Sequence, residues 1–178
     1  MKDIYEIKKN GENTWYFKNN LIHRDDDLPA RESKNSKVWY KEGLVHRDND
    51  LPAMIGLDEK VWYKEGLVHR DNDLPATIIR DGQKQMWYQK GVLHRVGKPA
   101  IISQAFSYYL AYEEWWNDGK KHREDGPAVT FSNGNKEYWL NGMEIPEKDY
   151  LHELEKIKLN KKLNEDLNES PKKRKIKL

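Results

Sequence analysis

The sequence contains no cysteine, which excludes a disulfide framework, a thiolate metal site and a cysteine nucleophile and fits a reducing compartment. No run approaches the roughly 18 apolar residues that a membrane-crossing helix needs. The start of the chain, Met1 to Lys9, is charged and lacks the apolar stretch of a secretory leader. Phenylalanine is scarce, at 3 residues, and the chain is only 37% hydrophobic against 35% charged. That leaves too little aliphatic volume for a thick core and favours a thin or elongated shape. What is plentiful is tryptophan and tyrosine, 7 and 10 residues, whose rings can cover a sheet face. The 178 residues suffice for one domain of ordinary size.

Charge is unevenly distributed. Residues 170–178 carry five cations (Lys172, Lys173, Arg174, Lys175 and Lys177) and no acid, which leaves residues 1–169 at −3 against a chain total of +2. A mildly acidic body argues against a long phosphate-tracking groove, so nucleic acid is not an expected partner of the body. The cluster Lys172, Lys173, Arg174 and Lys175 behind Pro171 reads either as a nuclear-import signal or as a solubilising tail.

Internal repetition decides the fold. His-Arg occurs at His23-Arg24, His46-Arg47, His69-Arg70, His94-Arg95 and His122-Arg123, at spacings of 23, 23, 25 and 28. An aromatic residue stands seven positions before each histidine: Tyr16, Trp39, Trp62, Trp87 and Trp115. Three before it is a glycine, or Asn20 in the first copy, and Pro-Ala follows five or six residues after it, at Pro29, Pro52, Pro75, Pro99 and Pro127. Residues Val38–Ala53 and Val61–Ala76 are identical over all 16 positions. A truncated sixth copy begins at Tyr138-Trp139-Leu140-Asn141-Gly142 and lacks His-Arg, as a terminal capping repeat does.

Each copy predicts a β-hairpin. Val61-Trp62-Tyr63 has strand composition, Gly66 suits the positive φ of a tight turn, and Leu67-Val68 begins the return. Pro75 interrupts the ladder because it has no N–H. Ala76 to Ile79 continues extended to Asp81-Gly82, which turns the chain into the next copy. Two strands per copy make an antiparallel meander with equivalent residues about 10 Å apart. Strand alternation puts Trp62 and Tyr63 on opposite faces, one face carrying a tryptophan row and the other a tyrosine row.

The W-x-x-x-G-x-x-H-R pattern resembles the MORN repeat, and more closely a divergent MORN-like repeat with H-R-x-x-G-P-A at its centre, found in proteins of large DNA viruses, phages and bacteria. The match covers about residues 15–142, with His-Arg where typical MORN units carry His-Gly, and with an added Pro-Ala. The resemblance implies an all-β antiparallel meander or solenoid of tandem β-hairpin repeats. It also implies a role as a protein-interaction or membrane-associated scaffold. The expected organisation is a repeat array over 1–146, a capping α-helix over 147–163 and a disordered basic tail over 164–178. The helix follows from Pro146 at its start, acids in its first turn and a stripe of Leu151, Leu154 and Ile157 beside Tyr150.

His-Arg-Asp at 23–25, 46–48 and 69–71 matches the start of a kinase catalytic loop. The chain has no glycine-rich loop and no D-F-G, and three copies of one tripeptide are not catalytic machinery. A metal shared along the histidine row is excluded, because rungs about 10 Å apart cannot both reach an ion that needs ligands at about 2 Å. No cofactor is expected. The candidate binding rows are Trp39, Trp62, Trp87 and Trp115, His23, His46, His69, His94 and His122, and Arg24, Arg47, Arg70, Arg95 and Arg123. Two accounts fit them. In one, arginine lies across tryptophan and pairs with a nearby aspartate (Arg47 with Asp48 or Asp50) while histidine bonds turn backbone. In the other, Arg, His and Trp line anion pockets that sequester a small nucleotide or phosphate.

The sequence therefore predicts a non-enzymatic scaffold or binding module with a protein partner, an edge-to-edge homodimer being open. The alternatives are a nucleotide-sequestering binder and a nucleic-acid-associated protein. Lys-, Asn- and Asp-rich usage and the import-like tail place the chain in the nucleus or cytoplasm of a eukaryotic cell, with a viral source.

Overall fold

The computed structural model describes residues 5–169; the basic cluster at 172–175 lies outside them. The protein is mostly antiparallel β-sheet of many short strands, with one C-terminal helix. The main sheet runs in chain order, two strands per copy. Through the middle of the array these are Met54–Ile55, Glu59–Val61, Thr77–Ile79, Lys84–Met86, Ile101–Ser103 and Tyr112–Glu114. At the N-terminal edge Glu6–Asn10 pairs with Asn13–Lys18, a strand outside the repeat pattern and exposed along its whole length. Its charges, Glu6, Lys8 and Lys9, disfavour pairing with a second sheet edge.

The hairpins predicted from the glycines form, but in the four middle copies they are not continuations of the sheet strands, whereas Asn13–Lys18 and Lys136–Leu140 run unbroken from sheet into hairpin. The strand expected across Val61-Trp62-Tyr63 is broken at the tryptophan. Tyr63–Lys64 pairs with Leu67–Val68 in a separate two-stranded ribbon, and equivalent ribbons occur in three other copies. The backbone of Trp62 explains the break. Its N–H donates to Ala76 O at 2.8 Å within the sheet, while its carbonyl accepts from His69 N at 3.1 Å within the ribbon. One residue therefore serves two ladders, and the chain turns a corner there. Tyr16, Trp39, Trp87 and Trp115 make the same pair of bonds.

Each ribbon closes on two residues with positive φ, 51° at Glu65 and 81° at Gly66, the conformation of a type I′ turn. Gly66 N also donates to Val45 O of the preceding copy at 2.9 Å, and a Cβ at Gly66 would lie 3.4 Å from Leu44 Cδ2 of that copy. Glycine suits this position for its φ, while the space beside it would admit a Cβ in ordinary contact with Leu44. Beneath the ribbons the core is a row of small and flat side chains. Trp39, Trp62 and Trp87 are buried, and Ala30, Ala53, Ala76, Ala100 and Ala128 are fully buried at 0% exposure. The alanine of each Pro-Ala is thus fully enclosed by the layer.

The helix spans Glu147–Glu169, so residues 164–169, expected in a disordered tail, continue it. Its packing stripe is Tyr150, Leu154 and Ile157 against Tyr138, Leu140 and Ile145 of the last hairpin. Leu151, expected in that stripe, is 70% exposed: helical spacing sets it about 100° from Tyr150. Tyr150 packs on the ring of Tyr138 at 4.9 Å, and its hydroxyl donates to Arg123 O at 2.9 Å. Lys161 reaches Glu124 of the fifth copy at 2.8 Å. The helix is therefore bound to the array's last junction. Among the described residues no helix is long and apolar enough to cross a membrane.

Overfilling the alanine row should be costly. Ala76→Leu is expected to destabilise the protein by about 1–3 kcal/mol in denaturant unfolding, because the alanine is fully enclosed at 0% exposure and three added carbons must displace its neighbours.

Candidate functional site

The His-Arg, Trp and Pro-Ala positions converge at each junction between copies. The guanidinium of Arg47 lies 3.8 Å over the ring of Trp39, that of Arg70 3.9 Å over Trp62, and that of Arg95 3.7 Å over Trp87. Arg24 covers Tyr16 at 3.7 Å and Arg123 covers Trp115 at 3.9 Å. Each arginine also donates through Nη1 to the carbonyl of its own Pro, at 3.1–3.3 Å. Stacking and this bond hold the side chain flat within its copy.

The remaining edge of the fork points to the preceding copy. Arg47 Nε and Nη2 donate to the two carboxylate oxygens of Asp27 at 2.7 Å each. Arg70 does the same to Asp50 at 2.8 Å each, and Arg95 to Asp73 at 2.6 and 3.0 Å. The sequence expectation that Arg47 pairs with Asp48 or Asp50 is corrected. Asp48 instead receives His46 and Lys41, and Asp50 serves the next copy. Asp26 and Asp27 have φ of 58° and 53°, and that left-handed turn throws the Asp27 side chain across the junction. The backbone carbonyl of the same aspartate accepts Nε1–H of the next tryptophan: Asp27 from Trp39 and Asp50 from Trp62 at 2.9 Å, Asp73 from Trp87 at 3.0 Å. A single aspartyl residue thus fastens both the arginine and the tryptophan of its successor.

Histidine crosses the junction in the other direction. The amides of Glu42, Glu65, Lys90, Asp118 and Asn141 donate to Nδ1 of His23, His46, His69, His94 and His122 at 3.0–3.3 Å. An accepting Nδ1 places the ring proton on Nε2, which donates to Asp25, Asp48 and Asp71 at 2.9 Å in the first three copies. This bond also engages the amide of the non-glycine residue at positive φ in each turn. Histidine therefore does bond turn backbone, but that of the next copy.

The candidate rows are accordingly engaged within the array. Trp39, Trp62 and Trp87 are buried, and Arg47, Arg70 and Arg95 keep 11–14% side-chain exposure. Their forks carry intramolecular carboxylates, which occupy the geometry a nucleotide phosphate would need. Among the described residues no group of three or more His, Asp and Glu is placed to hold a metal. Sequence reasoning did not assign Asp27, Asp50 or Asp73 to the arginine of the following copy, and gave Asp50 to Arg47 instead of Arg70. Their signal was available: each stands 20 or 22 positions before the arginine it holds.

The arginine bonds hold the carboxyls of Asp27, Asp50 and Asp73 below the usual carboxylate range. A carboxyl depressed by folding stabilises the native state fully above its unfolded pKa of about 3.9, and that contribution disappears as pH falls through the folded value. The protein should therefore lose stability as pH drops below about 4, and Asp50→Asn should show a shallower acid loss in pH-dependent melting. At neutral pH Asp50→Asn should cost about 1 kcal/mol, a charged hydrogen-bond pair discounted for an exposed carboxylate.

Compared with known proteins, the chain matches no family model, no curated protein and no solved structure.

Proposed function

We propose that the chain is a non-enzymatic protein-interaction scaffold built from MORN-like hairpin repeats. The observation that carries this reading is the division of labour between the rows. Polar groups with chemical potential, Arg47, Arg70, Arg95 and the five histidines of the row, are engaged in joining copies. Exposed apolar side chains then recur at the repeat period, beside exposed ion pairs such as Lys41–Asp48 and Lys64–Asp71. Leu21, Leu44, Leu67 and Val92, which begin the return strands of the first four copies, are 43–52% exposed, Lys120 taking that place in the fifth, and Leu28, Leu51 and Leu74 are 38–43% exposed. Rows of this kind at roughly 10 Å intervals offer an extended partner repeated contacts without any single deep pocket. The longer interval before the fifth copy adds an exposed apolar loop, in which Phe106 and Tyr109 bridge and Tyr108 is 99% exposed.

A nucleotide-sequestering role would use the same arginine forks that Asp27, Asp50 and Asp73 fill, so it ranks below the scaffold. The two readings separate experimentally. Purification from native cells with nuclease treatment should recover a stoichiometric protein partner. Leu44→Glu with Leu67→Glu should lose that partner while melting within a few degrees of the parent, since surface substitutions cost little. Recovery of no protein, with a small anion released on denaturation, would contradict the scaffold.

A further inference from the structure

The junctions between copies are not equivalent. In the first three, the loop after His-Arg supplies Asp27, Asp50 or Asp73. In the fourth, the corresponding loop is Val96-Gly97-Lys98, one residue shorter and without an acid. The receiving side is nevertheless intact: Arg123 is stacked on Trp115 at 3.9 Å and bonded to Pro127 O at 3.2 Å, as in the other copies. Lacking an upstream carboxylate, Arg123 Nε turns to Asp125 Oδ1 of its own loop at 2.7 Å, a side chain that is 80% exposed. Among the described residues no acceptor meets Arg123 Nη2 or Trp115 Nε1, the two donors that bond a single aspartyl residue at each regular junction.

The surroundings changed with the donors. Trp115 is half-buried where its three counterparts are buried. Arg123 is 23% exposed against 11–14% for Arg47, Arg70 and Arg95. A cavity of about 440 Å³ opens between Val96, Gly97, Trp115, Trp116 and Arg123, against about 230 Å³ for the grooves at the first two junctions. Gly126, behind the guanidinium, presents no side chain to it; a Cβ there would lie 3.4 Å from Arg123 Cζ.

We propose that the fourth junction is a docking socket for an aspartyl residue of a partner protein. The partner's carboxylate takes the Arg123 fork and its main-chain carbonyl takes Trp115 Nε1–H. The occupant's chemistry is read from the three sibling junctions, where an aspartate in a tight turn satisfies this donor pair through its side chain and its backbone together. A fork alone accepts any oxyanion; the indole N–H set beside it selects a carboxylate attached to a peptide. Asp125 is a weak internal competitor, which swings toward solvent when the partner's aspartate enters. The proposal rests on the scaffold reading only for the source of the aspartate.

The test uses the full chain labelled with ¹⁵N, reading the indole N–H resonances, with Trp115 assigned through Trp115→Phe. The probe is the blocked hexapeptide with the sequence of Asp48–Ala53. Saturable movement of the Trp115 resonance, with Trp39, Trp62 and Trp87 unmoved, is the expected result. The same peptide with its second aspartate replaced by asparagine should bind about tenfold more weakly or worse, as should Arg123→Lys with the original peptide. Asp125→Asn should bind more tightly. Replacing Val96-Gly97-Lys98 with the Asp48-Asn49-Asp50-Leu51 sequence should raise the melting temperature and abolish peptide binding, which separates loss of the socket from loss of the fold. No movement of Trp115, or equal movement with acetate or inorganic phosphate, overturns the proposal. An array that holds its partner through Leu44 and Leu67 while Trp115 ignores the peptide would sink the socket and spare the scaffold. Peptide binding without any protein partner would do the reverse.

Discussion

The carboxylate that each of the first three copies extends to the arginine of the next is the contact on which the regular part of the array depends. A single copy offers one tryptophan, one alanine and a two-residue-turn ribbon, far too little buried surface to stand alone. Its tryptophan is covered by its own arginine, but that arginine carries a charge needing a partner, and the indole N–H needs an acceptor. Both needs are met by one aspartate of the preceding copy, as Asp50 does for Arg70 and Trp62. The histidine row ties the same neighbours in the opposite sense, from the turn amide of one copy to the ring of the copy before it. Stability is then a property of adjacent pairs, as in other quasi-one-dimensional repeat proteins.

The two ends follow from this dependence. Among the described residues no copy precedes the first, and Arg24 takes Glu32 at 3.2 Å beside its stack on Tyr16, while the strand Glu6–Asn10 pairs along the edge of Asn13–Lys18. The last copy has no successor with an arginine. Tyr150 of the helix packs on Tyr138, the position where preceding copies stack a guanidinium, and its hydroxyl bonds the backbone of the fifth copy's loop through Arg123 O and Gly126 N. The helix therefore ends the array by substituting an uncharged ring for the element that would otherwise demand another aspartate.

Much of this was legible in the sequence, for physical reasons that can be named. The repeat period, the turn at each glycine, the stop at each proline, the stacking of arginine on an aromatic residue and a C-terminal helix begun at Pro146 all follow from local chemistry. The break at Trp62 was not legible, because strand composition is continuous across Val61-Trp62-Tyr63 and only the division of its N–H and carbonyl between two ladders reveals it. Nor was the direction of the arginine fork. Asp48 and Asp50 are near Arg47 in sequence, yet the left-handed turn after each of the first three His-Arg pairs points its aspartate toward the following copy, and Asp27, 20 residues away, is the partner. The helix stripe was misread at Leu151 because spacing from Leu154 fits a stripe that Tyr150, not Leu151, occupies.

If the junction aspartates hold the array together, the arginine rows are structural and the partner-facing surface lies elsewhere, in the exposed apolar rows and at the fourth junction. The most direct test is a double-mutant cycle between Asp50 and Arg70, each changed to alanine singly and together, with stability read by denaturant unfolding. The account predicts a favourable coupling of at least about 1 kcal/mol between these two residues of different copies. Additive effects, with a coupling indistinguishable from zero, would contradict it and return the arginine forks to the list of free ligand sites.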